Sequence, residues 1–156
     1  MLLEGFMFSN QPAAGGDAPT NIGTTDSTNV YDLGIARDIG SAVTEDLNLL
    51  IQVITAFTSG GSATLQVALK GAPDNGSGSP GSYSILYQSD AIAVASLVQG
   101  YRFLMGGLLS QNTTALVRFL KVSYIIGTAA MTAGAIVAGF TPALQHNPTY
   151  ARGYVA

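Results

Sequence analysis

The single histidine, His146, sits in a proline-bounded Gln-His-Asn-Pro segment and is the one imidazole available as a general base. Any nucleophile would be a hydroxyl, because the chain has no cysteine. No serine lies in the Gly-x-Ser-x-Gly turn that exposes a nucleophile above a sheet, so His146 reads as a loop histidine. Glu45 and Asp46 are adjacent carboxylates just before an alternating run. Neighbours on an extended chain point to opposite faces, so this pair cannot flank one bond as glycosidase acids do. Asp74-Asn75-Gly76 offers oxygens suited to calcium, but without the alternating acidic spacing or closing glutamate of a calcium loop. Gly76, Gly78 and Gly81 lack the Lys-Ser/Thr pair of a phosphate loop. The residue inventory therefore predicts no enzyme, no metal site and no cofactor.

Charge is scarce. Of 156 residues, 6 are basic and 9 acidic, so 10% ionise, while 47% are hydrophobic; an ordinary soluble domain carries about 25% charge. A surface so lightly charged is one that partner chains or lipid cover. The net charge of −3 and the scattered Arg37, Lys70, Arg102, Arg118, Lys121 and Arg152 exclude a basic footprint for nucleic acid. Thirty residues between Lys121 and Arg152 carry no Asp, Glu, Lys or Arg. That stretch is broken by Gly127, Gly134, Gly139, Pro142 and Pro148, and its apolar residues are largely alanine, so no membrane span is expected. Nor does the opening MLLEGFMFSN read as a secretion signal, having no basic n-region.

The elements that must position these groups are strands. Leu47, Leu49, Ile51 and Val53 alternate with Asn48, Leu50 and Gln52. Leu65, Val67 and Leu69 alternate with Thr64, Gln66, Ala68 and Lys70, and Leu120, Val122, Tyr124 and Ile126 with Lys121, Ser123 and Ile125. Period two with one apolar row predicts half-buried strands in sheets packed face to face. Leu3–Phe8, Asn29–Leu33, Tyr83–Gln88, Tyr101–Met105 and Ala133–Thr141 complete a set of about eight. Ala91–Val98, alanine-rich and closed by Gly100, predicts a helical turn. Ser59-Gly60-Gly61-Ser62 reads as a tight connection, and residues 72–82 as a mobile loop at a sandwich end. Residues 9–27 and 142–156 have no periodicity and read as an irregular arm or loop and a C-terminal arm, within one domain over 1–156.

Tyr31, Tyr83, Tyr87, Tyr101, Tyr124, Tyr150 and Tyr154 suit either a sugar platform or a protein interface. Without tryptophan, the interface is the better fit.

Several segments together carry a resemblance: STNVYDLGIARDIG (27–40), ATLQVALKGAPD (63–74), GYRFL (100–104), RFLKVSY (118–124), TAGAIVAGF (132–140) and the YARGY tail (150–154). Across most of residues 1–140 the chain resembles the capsid cement, or decoration, proteins of tailed bacteriophages, the group named for a Bordetella phage head protein. The resemblance implies an all-β jelly-roll sandwich of antiparallel strands with extended N- and C-terminal arms. It implies a structural virion protein on the outer capsid surface, present in the host cytoplasm during assembly. Its partners would be the major capsid protein and its own copies, as homodimer or homotrimer, with no direct nucleic acid and no membrane. The apolar and aromatic residues of the arms, Phe6, Phe8, Pro12, Ile22, Tyr150 and Tyr154, are the expected partner contacts. The alternative from composition is a carbohydrate-binding β-sandwich module on a phage tail or surface.

Overall fold

The computed structural model of the chain describes residues 7–10, 15–37, 48–105 and 117–141. They form nine strands: β1 (Gly23–Asp26), β2 (Tyr31–Arg37), β3 (Asn48–Thr58), β4 (Thr64–Ala72), β5 (Ser84–Gln88), β6 (Ile92–Ala93), β7 (Arg102–Met105), β8 (Val117–Gly127) and β9 (Ala133–Thr141). The alternating runs became β3, β4 and β8, the long strands at the centre of the two sheets. In β8 the apolar row Leu120, Val122, Tyr124 and Ile126 is buried in the core, leaving Lys121, Ser123 and Ile125 on the other face.

One sheet is ordered β1–β8–β4–β5, with β2 also on β8 and β6 also on β4; the other is β7–β3–β9. Every pairing is antiparallel. The N-terminal segment adds bridges from Met7 to Gly139 and from Asp17 to Ile136, at the outer edge of β9. The chain is thus one long folded ribbon. Its successive pairs are the N-terminal segment with β9, β1 and β2 with β8, β3 with β7, and β4 with β5 and β6. The pairings β3·β9 and β4·β8 roll that ribbon into two layers, which is the jelly-roll order. Between the layers, Leu49, Ile51, Val53, Leu65, Val67, Leu69, Ile136 and Phe140 form one core.

Packing is tight between the paired strands β3 and β9. Gly134 has a φ of 136°, and a Cβ there would overlap the ring of Phe57. Only glycine takes that backbone conformation while letting the ring lie flat on it.

Three expectations are corrected. Residues 9–27 are not an unstructured arm: they contain β1 and the Asp17 bridge. The turn predicted over Ala91–Val98 is β6 followed by a three-residue 3-10 turn, Val94–Ser96. There Val94 N–H donates to Ala63 O at 2.9 Å, so pairing with β4 overrides the alanine bias. Nor is the loop after β4 loose. Asp74 Oδ1 accepts from the N–H groups of Gly76 and Gly78, Asn75 Oδ1 accepts from Ser77 N–H, and Gly81 N–H donates to Pro73 O. Among the described residues no helix is long and apolar enough to cross a membrane.

Candidate functional site

Each of the two long seams of the sandwich carries a cleft. One seam joins the N-terminal segment and β9 to β1, β2 and β8. It is bridged by polar groups brought from far apart in sequence, around a cleft of about 280 Å³ that Asp17, Asp26, Thr28 and Tyr124 help to line. Asp17, 7% exposed, accepts hydrogen bonds from Asn10 N–H (3.1 Å), Thr28 N–H (3.3 Å), Thr28 Oγ1 (2.6 Å) and the Tyr124 hydroxyl (3.0 Å). Four donors supply to this carboxylate what water would otherwise provide. Tyr124 is fully buried, and burial, then the neighbouring Asp17 carboxylate, hold its hydroxyl well above the usual tyrosine range. Asn29 adds bonds from its side chain to Ser9 O (3.1 Å) and from its N–H to Phe8 O (2.7 Å).

Wherever an outer strand breaks, one arrangement recurs. Ser9, Ser27 and Ser89 each give their N–H to a ladder carbonyl, of Ala138, Val122 and Val67 respectively. The hydroxyl of each accepts the N–H of that same residue, at 3.0, 3.1 and 3.0 Å. Its own proton goes to a carbonyl one or two residues on, of Asn10, Asn29 and Asp90. Each serine thereby saves β9, β8 or β4 from an unpaired amide where its neighbour departs.

Charges on the outer side of the β8 sheet are consumed internally. Arg118 binds Asp32 through two nitrogens, at 2.8 and 2.9 Å, and also Asp74. This ties β2, β8 and the 73–82 loop together. The Arg118 bond and the Gly34 N–H hold Asp32 below the ordinary carboxylate range, while the Gly76 and Gly78 N–H groups, with Arg118, do so for Asp74. Lys121 Nζ lies 2.6 Å from Asp26 Oδ2 and 3.9 Å from the centre of the Tyr83 ring. Burial pushes Asp26 up, but its bonds from Lys121 and Ser123 outweigh that and lower it. With Asp74 occupied in this way, the oxygens of Asp74-Asn75-Gly76 are bound to backbone and to a cation of the protein itself. Among the described residues no group of three or more His, Asp or Glu is placed to hold a metal.

The other seam carries the second cleft. Between the β5–β6 edge and β7 lies a cleft of about 230 Å³ lined by Tyr87, Ser89, Asp90, Ile92, Tyr101, Arg102 and Phe103. Phe103 forms its buried wall and Tyr101 stacks edge-on against it, ring centres 5.2 Å apart. Sequence reasoning grouped the tyrosines without finding this cleft; only the rolled topology brings residues 87–92 beside 101–103.

The expected contact residues are scattered. Phe8 is a core residue, 1% exposed and packed edge-on against Phe140 at 5.1 Å, so it cannot serve as a partner contact. Ile22 is 61% exposed at the start of β1. Phe6, Pro12, Tyr150 and Tyr154, like His146, Glu45, Asp46 and the C-terminal arm 142–156, lie outside the described residues. Tyr124, grouped by composition with the interface tyrosines and by alternation with an apolar row, follows the alternation: it is buried, and its hydroxyl donates to Asp17.

Two antiparallel layers in jelly-roll order define a β-sandwich protein. The chain belongs to the Bbp16 family, whose model matches residues 14–140, and that family is a phage protein family. No curated relative matches the chain.

Proposed function

We propose that this phage structural protein is a capsid cement protein, which binds the outside of a DNA-filled head and clamps adjacent major capsid protein subunits. One directional observation supports this reading most. The described residues from which the chain passes into 1–6, 38–47, 106–116 and 142–156 are Met7, Arg37, Asn48, Met105, Val117 and Thr141. They lie at one pole of the sandwich: Arg37 pairs with Val117, Asn48 with Thr141, Leu49 with Met105, and Met7 with Gly139. The 73–82 loop, anchored by Arg118, stands at the same pole. At the opposite pole the connections 59–63 and 128–132 are short and bonded to each other, Ser59 Oγ donating to Ala130 O at 2.7 Å.

A clamp needs a rigid body and contacts of reach, and simultaneous attachment to several subunits raises the overall hold through effective concentration. The jelly roll supplies the body. The segments rooted at the first pole, with Phe6, Tyr150 and Tyr154, supply the shell contacts; Ile22, at the other pole, is outside them. The chain acts as a homodimer or homotrimer on the outer capsid surface, reaching it from the host cytoplasm during assembly, without contacting nucleic acid or membrane. Co-sedimentation with empty heads tests this. A chain lacking 143–156 is expected to lose at least tenfold in retention while keeping the β circular dichroism and melting temperature of the full chain. Equal retention of the truncated chain would overturn the assignment of the C-terminal arm. Failure of the full chain to bind heads at all would overturn the cement reading.

A further inference from the structure

From the lining of the second cleft we infer a second function, independent of shell attachment: the cleft between β5–β6 and β7 is a saccharide-binding subsite. The molecule pairs most of its described charges elsewhere, with Arg118 on Asp32 and Asp74, Lys121 on Asp26, and Asp17 under four donors. In the cleft it does not. Among the described residues, the Asp90 carboxylate, the Arg102 guanidinium and the hydroxyls of Tyr87 and Tyr101 share it with no hydrogen-bond or ion-pair partner. Asp90 and Arg102 are exposed and Tyr87 and Tyr101 half-buried, so the ring bodies are fixed while the polar groups stay available.

An acceptor-only carboxylate, a donor-only guanidinium and two amphoteric phenols around aromatic carbon match the face of a pyranose. Its hydroxyls donate to Asp90 and accept from Arg102, and its C–H face lies on a tyrosine ring. The cleft, about 230 Å³, is smaller than the roughly 300–1,000 Å³ that encloses a drug-sized ligand. It holds one sugar ring of a chain that continues into solvent. An apolar ligand would leave both charges unpaired, and a simple anion or cation would satisfy only one of them.

The experiment is an array of neutral and acidic oligosaccharides probed with the full chain, Asp90→Asn and Arg102→Ala. Both side chains are exposed, so neither substitution disturbs the core. The full chain is expected to retain a subset of saccharides, and each variant to lose at least tenfold of that retention with an unchanged melting temperature. Binding of both variants to empty heads should match the full chain, which separates this subsite from the cement reading. No saccharide retained above background, or retention indifferent to both substitutions, would overturn it. Concentration-dependent self-association that Arg102→Ala abolishes would overturn it in favour of an interface between copies.

Discussion

Asp17 is the residue on which the first seam depends, because its buried carboxyl group is held by four donors from three residues. Replacing it by alanine strands the Tyr124 hydroxyl and both donors of Thr28. Asp17→Ala is therefore expected to cost about 3 kcal/mol, the scale of losing bonds to a charged group and leaving buried partners unpaired, read by urea denaturation. The surface carboxylates act on a different axis. Asp26, Asp32 and Asp74 all titrate below their ordinary value in the folded chain. A lowered folded value stabilises above the unfolded value, near pH 4, and that contribution is lost as pH falls through the folded values. Melting temperature should hold level on this account from about pH 5 to 8 and drop below about pH 4. Arg118→Met should flatten part of that acid limb. The raised Tyr124 reverses the sign: its share is complete below about pH 10 and disappears above it. The Asp17 network was not legible in sequence, since Asp17 and Tyr124 are 107 residues apart, while Phe8, at the end of the strand read over Leu3–Phe8, could equally have faced the core or a partner.

At the scale of elements, period two revealed β3, β4, β8 and β9 because their apolar rows are long enough to fix a face. β1 escaped because all four of its residues, Gly-Thr-Thr-Asp, are exposed, and its strand character comes wholly from pairing with β8. β6 escaped because it is two residues long within an alanine-rich run. A signal for the strand breaks did exist: Ser9-Asn10, Ser27-Thr28-Asn29 and Ser89-Asp90 each put a serine ahead of a turn-forming amide or acid. Ser27 tests what such a residue contributes. Its hydroxyl is the acceptor for Val122 N–H in the middle of β8. Ser27→Ala should cost about 1–3 kcal/mol for the orphaned amide and should speed hydrogen exchange at Val122 more than at Leu120.

For the whole molecule, composition anticipated a surface made for partners, and alternation anticipated two packed sheets. Neither could show that the chain enters and leaves its sandwich at one pole, because that follows from the pairings of Arg37, Asn48 and Met105 with residues far along the sequence. The cleft is a consequence at the same scale, since Asp90 and Arg102 converge only once the ribbon is rolled. The polarity makes the head-binding prediction asymmetric. Enlarging the connection at 59–63 should leave attachment unchanged, whereas removing 143–156 should weaken it at least tenfold, both read by co-sedimentation.

The serine-patched breaks also bear on the edge-to-edge pairing to which so lightly charged a β protein is open. A long, flat sheet border with unpaired amides is a template for amyloid-like stacking, and proteins ordinarily blunt it with lysine or proline. Here the borders are cut into pieces instead: the segment along β9 parts after Ser9, β1 from β2 at Ser27, and β5 from β6 at Ser89. The remaining border, β7, is four residues long. Among the described residues the longest border piece is β2, seven residues, so the borders offer a fibril only short runs to copy where the composition supplies little electrostatic repulsion.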